Sequence, residues 1–464
     1  MANAVKVDEV IGPPPATMTS RWSRWRAVVA GFFPVTEPSK TPRVRMAVWY
    51  LAAFAAAVGY LLLIPAGRSR LQHMWAEDGA RFFLDANTTP LWKVLIEPYA
   101  DSGYLHTVPR LGAELASQLP LSWAAASVAI TAAALRAGVA LLVFTASGSV
   151  LRSTTLRVAL AALVVVAPVG NSEAVNNLAN FHWFALFGAF WLLWWRPALR
   201  WQIALAAVSL FLAATSSALV LLLSPLALAR FALPGWRQRI ITLAFFLGVV
   251  IQSSVMVLSP RYDHFNQPVD AKAAAMAALS RVPLVTFTGS EDVARFYVAF
   301  GYWPFVGALV FILALAVVAF RWGGAPRAVL VALALGYAAV SIWLSLSQNW
   351  HWGAGILQPG VVLDGQRYSV VPCLLLLAVV AIGLDRIPKA GWRRIGMAAV
   401  AAVLLTAIVR QLPESTGRLT GVTWQQTVAT AKLECAQGKP AAVLQLAPTV
   451  PDNWTVKLAC QYVH

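Results

Sequence analysis

VRMAVWYLAAFAAAVGYLLLIP, residues 44–65, carries one early arginine, no acid and no helix breaker before its final proline. A run of roughly 17–25 apolar residues is what a helix needs to cross the hydrocarbon core of a bilayer. Runs of the same kind recur at 240–259, 303–320, 328–346, 369–384 and 395–409, and shorter or interrupted ones at 156–169 and 201–229. The whole chain agrees: of 464 residues, 59% are hydrophobic and 12% charged, and the mean hydropathy is +0.67. Soluble domains carry about a quarter charged residues, so a soluble globular protein is excluded. The spacing predicts an all-α polytopic membrane protein of eleven spans, with the N-terminus inside and the C-terminus outside.

Outward from that first span, residues 1–43 are Pro-rich and basic and lack the pattern of a cleavable signal peptide. They read as a cytoplasmic tail. Its Arg21-Trp22-Ser23-Arg24-Trp25-Arg26 suits the headgroup layer of an anionic leaflet. The short inner loops of this topology carry Arg152, Arg157, Arg196, Arg200, Arg230, Arg237, Arg239, Arg321, Arg327, Arg386, Lys389, Arg393 and Arg394, with Asp385 as their one acid. Cytoplasmic loops are enriched in arginine and lysine in this way. The formal charge of +17 is therefore read as topology and lipid anchoring, and not as a nucleic-acid surface, because the cations are scattered over separate loops. One span across 201–229 would reverse the side of everything after it. A break near Thr215-Ser216-Ser217, reaching part of the depth, is the reading adopted, since irregular backbone at that depth is tolerated beside a cavity.

Of the 19 acids, all but Asp8, Glu9, Glu37 and Asp385 then fall outside. The outer loops are also the long ones: 67–120, 171–180, 260–302, 347–366 and 411–464. Residues 44–411 form the transmembrane domain, and 412–464 a small α/β unit outside the membrane. In that unit 422–436 reads as a helix, and 441–446 and 454–462 as strands by their alternation. Cys435 and Cys460 sit in it, where an oxidising compartment favours a disulfide; two free thiols are the alternative. Cys373 lies in a span as a small buried hydrophobe.

The first outer loop holds His73-Met74-Trp75-Ala76-Glu77-Asp78-Gly79-Ala80-Arg81-Phe82-Phe83. Two adjacent carboxylates near a membrane surface raise one another's pKa, which is a route to a general base. Gly79 would allow a sharp turn there. A solvated acidic turn paired with Arg81 is the alternative.

These residues resemble the GT-C membrane glycosyltransferases, which have many spans and a long first outer loop opening on an acidic pair. Trp75-Ala76-Glu77-Asp78-Gly79 matches that motif in place. Gly103-Tyr104-Leu105-His106-Thr107-Val108-Pro109-Arg110 is similar to the interfacial stretch that follows it. Gly365-Gln366-Arg367-Tyr368-Ser369-Val370-Val371-Pro372 resembles the Arg-Tyr…Pro element of a late span. The Ala-, Arg- and Trp-rich usage fits a high-GC bacterium. The resemblance implies an inverting transfer of a sugar from a polyprenyl-phosphate donor to a glycan, lipid or protein acceptor of the cell envelope, on the extracytoplasmic side of the plasma membrane. It puts Asp78 or Glu77 in the role of base, with Asp78 preferred. Arg367 is the candidate for the leaving phosphate, because a guanidinium binds oxygens bidentately; a snorkelling interfacial residue beside Tyr368 is the alternative. Tyr368, Tyr104, His106 and Arg110 join it at the donor.

Asn176-Asn177-Leu178-Ala179-Asn180-Phe181-His182-Trp183 offers amides for sugar hydroxyls and rings for sugar faces, with Asn177, Asn180 and His182 as candidates; capping a helix end is the alternative. Gln348-Asn349-Trp350-His351-Trp352 is a second such cluster, with His351 its candidate. Arg261-Tyr262-Asp263-His264 reads as a solvated turn. A divalent metal on Glu77, Asp78 and a histidine is a further reading, although no ligand spacing demands one. Arg136, deep in 121–147, is left unassigned. A transporter or lipid flippase would show inverted repeats and mid-depth charges; only Arg136 and the break in 201–229 point that way. A non-catalytic assembly subunit, binding a partner through the tail, is the third class.

Overall fold

The computed structural model describes residues 21–34, 42–99, 103–259, 271–348, 365–411, 421–448 and 453–463. Among them, six helices are long and apolar enough to cross a bilayer: Val44–Leu63, Leu121–Ser149, Trp236–Leu258, Phe320–Ser345, Gln366–Leu384 and Ala390–Arg410. Shorter apolar helices, such as Thr154–Val166 and Phe181–Trp194, fill the space between them. The chain is a multi-pass membrane protein.

These helices differ in surroundings more than in composition. Val44–Leu63 has 6% of its apolar window buried and Gln366–Leu384 has 83%. A helix hydrophobic all round is a buried one or a lipid-facing one, and this fold uses both. Gln366–Leu384 stands at the centre, packed on the helices of Trp303–Gln348 and on Phe181–Trp194, whose residues are all buried. Trp303–Gln348 is two helices joined at Gly324, whose φ of 69° is left-handed and costs glycine little; Pro326 follows.

The break in 201–229 falls where the hydroxyl-rich triplet stands. Helix Arg200–Ala214 ends there, and a 3-10 turn, Ala218–Leu223, leads into Ser224–Arg230. The broken backbone has its own role. The Thr215 carbonyl accepts from the Thr107 amide and hydroxyl at 3.2 and 2.9 Å, and the Ser216 hydroxyl accepts from the Val108 amide at 3.1 Å. Those amides open helix Thr107–Ser117 and have no partner within it. Two irregular segments thus satisfy each other inside the protein.

Trp424–Ala436, with Thr423 and Gln426 in a capping box, packs on a two-stranded antiparallel sheet, Ala441–Gln445 against Thr455–Ala459. Ala442, Leu444, Val456 and Leu458 alternate inward and are buried. Cys435 and Cys460 form a disulfide that ties the helix to the turn after the second strand.

Candidate active site

The acidic pair follows helix Pro65–Gln72, which proline starts at its first position, where its missing N–H is no loss. Trp75 forms an isolated bridge, Ala76 and Glu77 open a helix, and Asp78–Phe83 continues it as a single π-helical turn. Such turns are rare and frequent at functional sites. Gly79 makes no turn there. It lies inside the π-helix, and a side chain on it would collide with Leu446 and Met74. Close approach, and not backbone freedom, calls for glycine at this position.

The two carboxylates have different settings. Asp78 is fully buried, and its oxygens accept the amides of Leu178 and Ala179 at 3.0 and 2.8 Å. Burial pushes its pKa up to about 7 against the pull of those two amides, with Glu77 adding to the rise and Arg70 opposing it. Arg70 is itself buried, its guanidinium 3.9 Å from the Trp75 ring centre. Burial lowers its pKa to about 9, so it is cationic at neutral pH and offsets the pair. Glu77 is half-buried, and its Oε2 is shielded from solvent with no hydrogen-bond partner among the described residues.

Beside Glu77 the rings form a continuous wall. Phe82 stacks on Tyr99 at 5.2 Å, and Tyr99, Tyr104 and His182 lie 5.0, 5.3 and 4.9 Å from His106. His182 leads on to Trp183 at 4.4 Å, and Trp183 meets Tyr368 edge-on at 5.4 Å. Burial holds the His106 imidazole well below its usual pKa, so it is neutral at pH 7, with one nitrogen donating and the other accepting. Its Nδ1 is buried and has no partner among the described residues. His182 Nδ1 donates to the Ala179 carbonyl at 2.9 Å. Glu77 is within electrostatic reach of Tyr99, Tyr104 and Arg367.

Arg367 stands at the head of the central helix, and it is anchored. Its Nη1 donates to Glu173 Oε2 at 2.9 Å, and Glu173 Oε1 accepts the Gln366 amide at 3.2 Å. The Glu173 side chain is 1% exposed and that of Arg367 is 25% exposed, so the guanidinium keeps part of its surface open while Glu173 fixes it. Sequence reading missed Glu173. It lies beside the asparagine cluster, but its partner is 194 residues away, and no local pattern joins the two.

Other expected contacts go elsewhere. The Asn177 and Asn180 amides donate to the Glu173 carbonyl, and the Asn177 side-chain oxygen accepts the Asn180 amide. These groups brace the 173–180 loop from within. Arg110 donates to the carbonyls of Val94, Glu97 and Pro98 and ties that loop to helix Thr107–Ser117. Among the described residues no three His, Cys, Asp or Glu side chains converge as a metal site, and Asp78 is already engaged by amides. His351 and Arg261 to His264 lie outside the described residues.

No protein-family model matches the chain, and no curated protein matches it. Among solved structures, it is similar to the arabinofuranosyltransferase AftD from Mycobacteria, at 14% identity and a TM-score of 0.45, over 88% of this chain and 30% of that one. The chain thus spans less than a third of that protein's length.

Proposed function

We propose that this protein is a GT-C-type membrane glycosyltransferase, using a polyprenyl-phosphate sugar as donor and a cell-envelope glycan, lipid or protein as acceptor, on the extracytoplasmic face. The observation that supports the reading is the Glu77 carboxylate, with no hydrogen-bond partner at Oε2 among the described residues, near a cluster of aromatic rings and within electrostatic reach of the Arg367 guanidinium that Glu173 holds. Glu77 is the base in this reading, ahead of Asp78, because a base must be free to meet the acceptor hydroxyl and both Asp78 oxygens hold backbone amides. The hydroxyl oxygen attacks the anomeric carbon opposite the phosphate, and its proton passes to Glu77. The carbon–phosphate-oxygen bond breaks as Arg367, held by Glu173, stabilises the negative charge of the departing phosphate. Tyr104, His106 and His182 line the sugar, aromatic faces against its apolar side and neutral imidazole against its hydroxyls. Membrane lipid surrounds the spans.

The marks of a transporter are taken up by the fold. Arg136 Nε donates to the Val164 carbonyl at 2.9 Å, and its guanidinium lies 4.0 Å from the Phe184 ring centre. The break at 215–217 caps another helix.

The test is transfer of labelled sugar from a panel of polyprenyl-phosphate donors by purified protein, with Glu77→Gln and Asp78→Asn beside the wild type. Transfer by the wild type, cut about 10²- to 10⁴-fold in Glu77→Gln, is the expected result. Folded wild type that transfers nothing from any donor to a broad acceptor panel would return the assignment to the transporter or assembly classes.

A further inference from the structure

The unit 421–463 joins the backbone of the acidic segment. The Ala447 amide donates to the Met74 carbonyl at 2.8 Å and the Ala76 amide to the Ala447 carbonyl at 2.6 Å, so that Trp75 and Ala447 pair as parallel strands. Leu446 fills the space left by the missing side chain of Gly79. The Trp424 indole donates to the Leu121 carbonyl at 2.7 Å, and its ring meets Phe83 edge-on at 6.2 Å. Glu77 is therefore bracketed. Ala76 before it and Gly79 after it are held by consecutive residues of the disulfide-closed unit, and Asp78 is held by 178–179. The backbone on both sides of Glu77 is thus tied to other parts of the fold.

We propose that 421–463 is a positioning element for the acidic pair, with Leu446 the positioning residue acting through Gly79. The turnover part of this inference rests on the glycosyltransferase reading. A carboxylate that must meet a hydroxyl at hydrogen-bond distance loses about 10²-fold in rate for a displacement of roughly 1 Å. Side-chain packing that locks the supporting backbone is how such displacement is prevented.

Leu446→Ala opens the contact without touching the ring cluster; Leu446→Met refills it; Val443→Ala, on the exposed side of the strand, is the control. Hydrogen–deuterium exchange of peptide 74–83 and steady-state kinetics are read on each, in full-length protein. Expected for Leu446→Ala are faster exchange in 74–83, kcat down about 10²-fold, and a donor KM within about twofold, since no ground-state contact is removed. Leu446→Met should recover most of the rate and the protection, and Val443→Ala should change neither. Unchanged exchange in 74–83 overturns the proposal, as does faster exchange with kcat intact. Should Leu446→Ala not fold, Leu446→Val makes a smaller gap and is read the same way. If the wild type transfers no sugar, the glycosyltransferase reading falls, and the exchange experiment alone decides whether the unit holds the segment.

Discussion

Two aspartates use one device in different settings. Just after the central helix Gln366–Leu384, Asp385 accepts the consecutive amides of Arg152 and Ser153 at 2.9 to 3.2 Å, and Arg386 lies 3.7 Å away. In the acidic segment, Asp78 accepts the consecutive amides of Leu178 and Ala179. Each carboxylate pins a loop between helices. The Asp385 setting is then complete, its acid paired with Arg386. The Asp78 setting carries a second carboxylate, Glu77, whose Oε2 has no hydrogen-bond partner among the described residues. The difference is that Asp385 and Asp78 are both used up by backbone amides, and Glu77 is not.

The largest effect that would break this contrast is at Glu77. Glu77→Gln should cut transfer about 10²- to 10⁴-fold while leaving the thermal midpoint in detergent unmoved. A drop in stability instead would make Glu77 another structural acid. Next come the two pinning carboxylates. Asp78→Ala strands two buried amides and should cost about 3 kcal/mol; Asp385→Ala, whose amides lie nearer solvent, should cost about 1 kcal/mol. Chemical unfolding of both variants checks the order, and equal costs would mean the two settings are equivalent.

The pH response sharpens the comparison further. With the Asp78 pKa raised to about 7 by burial, the folded state holds that proton more tightly than the unfolded chain. Its stabilising contribution is full below about pH 4 and is lost as pH rises through about 7. The midpoint of the wild type should therefore fall between about pH 5 and pH 8, and that step should vanish in Asp78→Asn. A step that persists in the variant belongs to another group. The smallest effect expected is at Arg386. Arg386→Gln removes a pair at 3.7 Å and should cost under about 1 kcal/mol by the same unfolding measurement.

Much of this was readable from residues alone, for definite reasons. Spans such as Val44–Leu63 declare themselves through unbroken apolar composition. The helix Trp424–Ala436 and the two strands after it were read within a few residues of their bounds, the strands through alternation. The break at 215–217 shows as three hydroxyl residues in an apolar run. What composition does not encode is neighbourhood. Hydropathy sees no difference between the lipid-facing helix Val44–Leu63 and the buried Gln366–Leu384. The number of spans stayed open for a related reason, because helices such as Phe181–Trp194 are apolar yet short. The acidic pair was found because its two members are adjacent. The different settings of the two carboxylates were not, because they depend on amides about a hundred residues away. Glu173 and the close packing at Gly79 were hidden in the same way.

The hydrogen bond from Ala76 to Ala447 has a consequence in time. A chain is synthesised from its N-terminus, so Trp75 and Ala76 emerge long before the residues that complete their strand. Nearly every span must be made and inserted in the interval, and until then the amide of Ala76 waits for its partner. Closing so long a loop adds little thermodynamic penalty, since that cost grows only with the logarithm of length. The order of events is nonetheless fixed: the acidic segment is laid down early and finished last, so a ribosome that stalls within the final spans leaves behind a membrane-embedded chain with an unfinished site.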